Sequence, residues 1–285
     1  MKKLLLASVA VLLPAIAAGS ESGLQSGAQT LPNFSSIDRP WVAIEAQEYT
    51  PPPSGPGPVT YDHAHPIVVR NPNNAGVAVD APLRIADLNN PNLKPWVVEA
   101  LKKGNDEQLA GKLRWTSRAN CMPGGVPQFL LYAGGAESLY MIQTAKEIVM
   151  IHQADNQTRH IYMDVPHSAH PQPSWYGESV GHYDGGELVV DTIGLNDRTF
   201  VDDRYGVPHT TQLHVIERFK LMNDGILQAI FTVDDPGAFN APWSGMVRYQ
   251  HQRAPGTLFE EPCAENNLAN LSSFVRPPIA AKADF

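Results

Sequence analysis

The sequence predicts a mainly β domain: an antiparallel meander of about eight strands, closing on itself, with one or two short helices before it. Three observations carry this. From about residue 138 to 254 apolar and polar residues alternate with period two, in short runs separated by turn residues. Two of those turns, Asp184-Gly185-Gly186 and Asn223-Asp224-Gly225, lie between alternating runs and are strong hairpin signals. The chain is also turn-rich, with 25 prolines in 285 residues against about 14 at average usage.

The elements follow in order. Lys2 and Lys3 precede an apolar run, Leu4 to Leu13, and then Pro14 and the small-x-small sequence Ala15-Ile16-Ala17. This pattern predicts a secretory signal peptide over 1–18, with a retained anchor as the alternative, and a periplasmic or secreted mature protein. No later segment is apolar for long enough to span a membrane as a helix. Residues 19–84 form a lead-in rich in Pro and Gly, including Pro51-Pro52-Pro53-Ser54-Gly55-Pro56-Gly57-Pro58. It reads as extended, with no regular element, although Phe34, Trp41 and Tyr49 are suited to pin it onto a surface. Residues 85–285 read as one barrel domain preceded by a short helix. Pro95, Trp96, Val97, Val98, Leu101, Leu109 and Leu113 recur near helical spacing, and Gly104 is a candidate break between two helices. The strands then run near 147–152, 159–163, 179–183, 187–192, 212–221, 226–233 and 246–251. Closure removes exposed sheet edges, so a calycin-like barrel is expected, with a curved sheet or open sandwich as alternatives.

Charge and motifs narrow the function. With 29 acidic and 21 basic residues the net charge is −8, which disfavours nucleic acid as a partner. There is no Gly-x-Ser-x-Gly elbow, no dinucleotide fingerprint and no Cys-x-x-Cys-His haem motif. The two cysteines, Cys121 and Cys263, are expected to form one disulfide in an oxidising compartment; a catalytic thiol is the rival reading.

A series of motifs adds a resemblance. It comprises Cys121-x-Pro123-x-Gly125-x-Pro127, Asn156-x-x-Arg159-x-Ile161-Tyr162-x-Asp164, Trp175-x-Gly177-x-Ser179-Val180-Gly181 and Leu188-Val189-Val190-Asp191-Thr192 with Asn196-Asp197-Arg198-Thr199. It continues with His209-x-x-x-x-His214-Val215-x-Glu217-Arg218-Phe219, Asp234-Asp235-Pro236 and Cys263-x-Glu265-Asn266-Asn267. Across roughly 85–270 the chain resembles a family of secreted, mostly uncharacterised proteins of proteobacteria and acidobacteria. The resemblance implies an exported single domain and carries no reaction with it.

Candidate site residues come from the alternation. On the strand through 212–219, Leu213, Val215, Glu217 and Phe219 share one face, so Glu217 is the lone charge on an apolar surface. If that face lines a hollow barrel, Glu217 is a candidate general acid or base with His209, which sits in the preceding loop. The competing expectation is a buried ion pair between Glu217 and Arg159. Asp191 is a candidate third group that orients a histidine. Arg218, Asn196, Tyr162, Trp175 and His214 are candidate substrate-binding residues. No cofactor is called for; a metal held by His209, His214 and Glu217 is the minor alternative, because His214 and Glu217 point to opposite faces of a regular strand. The pairs His63/His65 and His167/His170 read as exposed loop histidines. Two functions remain. One is an exported, cofactor-independent enzyme doing acid/base chemistry (lyase, isomerase or hydrolase) on a small, partly apolar molecule in a barrel pocket. The other is a non-catalytic, calycin-like periplasmic small-molecule binding protein.

Overall fold

The computed structural model describes residues 31–44, 48–66, 84–110, 117, 121–131, 138–153 and 156–252. The expected signal peptide and Cys263 lie outside these residues. Cys121 is not a free thiol.

The alternating runs form strands of a closed barrel. In chain order the barrel strands are β1 (Trp41–Ala43), β2 (Leu139–Gln143), β3 (Glu147–His152), β4 (Gln157–Met163), β5 (Glu178–Asp184), β6 (Glu187–Ile193), β9 (His214–Leu221), β10 (Leu227–Asp234) and β11 (Trp243–His251). A separate two-stranded sheet, β7 (Phe200–Asp202) with β8 (Val207–Pro208), is inserted between β6 and β9. Around the barrel the order is β1-β11-β10-β9-β6-β5-β4-β3-β2.

Two features depart from a simple meander, and one follows from the other. The ninth strand, β1, comes from the lead-in, where the sequence suggested no regular element. It pairs with β11 through Trp41↔His251 and with β2 through Trp41↔Leu139. Strand directions cannot alternate all the way around a ring of nine, so at least one neighbouring pair must be parallel. That pair is β4 with β5, in the register Ile161↔Ser179. A parallel connection needs a dozen or more residues to return to the starting end, and residues 164–177 supply that crossover.

The lead-in closes the seam between β2 and β11. Phe34, Trp41 and Tyr49 are buried, Ser36 exchanges hydrogen bonds with Met141, and Thr50 bridges Met246. Glu48 and Arg84 lie beside Arg204, which grips Asp202, the last residue of β7, at 2.8 and 2.5 Å.

Among the described residues the one α-helix, α1 (Pro95–Leu109), lies between β1 and β2, so it precedes the other eight barrel strands but not β1. It starts on Pro95 and runs unbroken through Gly104, contrary to the expected break. A helical glycine costs about 1 kcal/mol relative to alanine. The buried stripe Val97, Leu101 and Asn105 offsets this, with Asn105 hydrogen-bonded both ways to the backbone of Ala86. A 3-10 segment, Gln128–Leu131, has all four residues buried. The Phe129 ring meets those of His152 and Tyr176, at the end of the barrel where β3 finishes and β4 and β5 begin. Inside the wall, packing is tight. A Cβ on Gly245 would come within 2.5 Å of the Phe231 ring.

Candidate functional site

Among the described residues the inner face of the barrel carries one ion pair. Inward-facing Glu217 on β9 and Arg159 on β4 have side chains 0% and 1% exposed. Arg159 Nη1 donates to Glu217 Oε1 at 2.9 Å, and Nη2 donates to Oε2 at 2.5 Å. Arg159 also donates to Ser179 Oγ from Nε at 3.2 Å and to Thr192 Oγ1 from Nη2 at 2.9 Å. Phe219, Phe231 and Val190 are buried about the pair, with Val190 and Phe231 directly opposite Glu217 in the sheet. This two-pronged geometry is the strong form of an arginine–carboxylate contact, and it occupies both carboxylate oxygens. Glu217 is therefore held in place of acting as a free acid or base.

His209 belongs to a different cluster. It is 4% exposed. Its Nδ1 faces the carbonyl of Thr210 at 2.9 Å, and its Nε2 faces Thr199 Oγ1 at 2.8 Å. A carbonyl only accepts, so Nδ1 carries the proton and Nε2 accepts from the Thr199 hydroxyl. Burial holds the imidazole below the ordinary histidine value. The hydrogen bonds of His209 and Glu217 thus go to separate partners, and the expected His209/Glu217 acid–base pair is not formed. The His209/His214/Glu217 metal set does not assemble either, because His214 faces outward and Glu217 inward on the same strand. Among the described residues no group of three or more His, Cys, Asp and Glu is arranged to hold a metal ion.

Two of the remaining sequence candidates do come together, on the outer face. Asp191 on β6 and His214 at the start of β9 meet with Oδ1 to Nε2 at 2.7 Å. Two further groups join them. His167, in the β4–β5 crossover, has Nε2 3.1 Å from the same Asp191 oxygen and Nδ1 2.9 Å from Glu178 Oε1 on β5. The four side chains are between 20% and 36% exposed, so water reaches them. Glu178 is held below the usual carboxylate value by hydrogen bonds from the Ser168 side chain and backbone, with His167 adding to them.

His167 thus bridges two carboxylates, one facing each ring nitrogen. His214 donates from Nε2 to Asp191, which leaves Nδ1 as an acceptor with no partner among the described residues. Half-buried Ile193 and Ile216 flank Asp191 on the same face.

The other candidates lie apart from this cluster. Arg218 is on the same outer face as His214, but four residues along the strand and paired with Asp184 at 3.3 Å and Glu187 at 3.4 Å. Asn196 is used in its own turn, where it accepts from the Arg198 N–H. Tyr162 is exposed on β4, and Trp175 is half-buried in the crossover. Two surface clefts, of about 520 Å³ between Gly55 and Asn92 and about 390 Å³ along α1, include none of the predicted site residues.

Sequence reasoning missed His167 and Glu178. The available signal was length: the stretch from Met163 to Glu178 is too long for a hairpin turn, and a long connection between strands marks a crossover that lays its residues over the sheet.

No protein-family model matches the chain, and no curated protein matches it.

Proposed function

We propose that the protein is an exported enzyme doing acid/base chemistry on a small, partly apolar molecule, at the outer-face cluster of Glu178, His167, Asp191 and His214. The carrying observation is that two imidazoles share one oxygen of Asp191. In this reading His214 Nδ1 takes a proton from substrate or water. Asp191 fixes the tautomer and stabilises the imidazolium that results, as a carboxylate does for a catalytic histidine. His167, bridging Asp191 and Glu178, holds the shared Asp191 oxygen in place. Ile193 and Ile216 offer apolar contact. The motif series supports membership of the exported bacterial family it resembles, and the signal-peptide pattern supports a periplasmic or secreted location.

The test is turnover on a panel of small esters, lactones and enolisable carbonyl compounds. Asp191→Asn and His214→Ala should each lower it by about 10²–10⁴-fold with little change in thermal unfolding. Turnover that survives both substitutions rejects the assignment.

A second reading has its own support. The locked Arg159–Glu217 pair is what a non-catalytic small-molecule binding barrel would carry. On that reading no panel compound is turned over, and ligand binding survives Asp191→Asn.

A further inference from the structure

We propose that His209 is an acid-sensitive latch that holds the segment Cys121–Leu131 against the β7–β8 side of the barrel end. This device is separate from the outer-face cluster, and nothing in it requires that the cluster be catalytic.

The geometry is a short chain of contacts. The His209 Nδ1–H is tied to its neighbour's carbonyl, so the ring presents an unprotonated Nε2 to Thr199. Thr199 is 2% exposed and must donate its hydroxyl proton to that nitrogen. Its side chain in turn lies against Gly125, where a Cβ would sit 2.6 Å from Thr199 Oγ1 and 3.0 Å from Cγ2. Only glycine allows this approach, and Gly125 has φ +77°, which favours glycine as well. Gly125 anchors the 3-10 segment, since its carbonyl accepts from the Phe129 N–H at 2.9 Å. A second tie runs from the Asp203 N–H to Gln128 Oε1 at 3.1 Å.

Protonation of Nε2 reverses the first contact. An imidazolium nitrogen donates, so Thr199 Oγ1 must accept from it, and the hydroxyl proton is turned away from the ring in a site packed against Gly125. The cation also has to sit where water is excluded. The charged groups facing the ring are Asp235, whose carboxylate takes the Thr210 N–H and hydroxyl at 2.6 and 2.7 Å, and Asp197 in the turn before β7. Both favour the cation, but burial outweighs them. From the segment itself Gly125 offers only backbone. The sign is fixed by linkage: the folded form binds the proton less readily than the unfolded form. Stability from this group is present above the ordinary histidine value of 6.5 and lost as pH falls below it.

The experiment is amide hydrogen exchange of the intact, oxidised protein between pH 7.5 and 5, side by side with His209→Gln. Glutamine can accept from Thr199 and donate to the Thr210 carbonyl but does not titrate, and the pairing cancels the intrinsic pH dependence of exchange. Relative to the variant, opening of residues 121–131 and 199–210 in the wild type should rise with acid, by at most roughly tenfold per pH unit. Parallel behaviour of the two proteins overturns the latch. Should His209→Gln fail to fold, nitrogen NMR of wild-type His209 decides: a proton on Nδ1 alone at pH 7.5, with a second gained only together with loss of protection at 121–131, supports it. A proton on Nε2 at neutral pH, or protonation with unchanged protection, overturns it.

Discussion

The same two strands, β6 and β9, present opposite chemistry on their two faces. Inward they carry Thr192 and Glu217, locked with Arg159 in a dry interior. Outward they carry Asp191 and His214, hydrogen-bonded but reached by water. Adjacent residues in a strand are thereby assigned to different tasks. A charge turned inward must be neutralised by a fixed partner, and that fixes its protonation state. A charge turned outward keeps the option of exchanging a proton. The difference leaves water-accessible titratable side chains on the outside of this barrel and a locked ion pair on the inside.

Three substitutions sharpen or break this contrast. Glu217→Gln should have the largest effect, because it leaves Arg159 charged and buried without a counter-charge; removing one partner of such a pair costs about 3–5 kcal/mol. Denaturant unfolding measures it, and a cost below about 1 kcal/mol would show that the interior tolerates an unpaired cation. Gly245→Ala comes next, since its methyl meets the Phe231 ring; overpacking of this kind costs typically 1–3 kcal/mol. An unchanged unfolding midpoint would mean that the inner face is looser than its packing indicates. Ser168→Ala, on the outer face, should cost least, about 1 kcal/mol or below. Its cost should also depend on pH. Ser168 lowers the folded value of Glu178, so its contribution is present above the ordinary value of 4.5 and fades as pH falls through the lower folded value. A stability difference between wild type and Ser168→Ala that stays constant from pH 7 to 3 would contradict that coupling.

Much of the architecture was legible in residue order. Glu147–His152 is a strand over the residues its alternation indicates, and the turns at Asp184-Gly185-Gly186 and Asn223-Asp224-Gly225 join the strands they were expected to join. Local signals suffice there because hairpin partners are neighbours in sequence. The β1 strand was not legible, because three residues among prolines have no period of their own; pairing with β11, some 200 residues away, defines them. The same limit applies to the site. Alternation placed Glu217 on the buried face, and the alternation of β4 made Arg159 available as its partner. It could not place His167, whose position depends on a parallel crossover that only the length of the Met163–Glu178 connection signals. Gly104 shows the reverse case, a local breaking signal overridden by the burial of Leu101 and Asn105 on either side of it.

The junction made by Trp41 has a consequence for how the chain reaches its final form. The first barrel strand to leave the ribosome is the one that must wait longest, since its main partner, β11, is the last. Until β11 is made, its two neighbours in the ring, β1 and β10, present bare backbone to any other chain, and long-range pairing of this kind is slow and prone to aggregation. Shutting the ring is thus a late event, and loss of β11 alone would leave a curled sheet with two sticky rims.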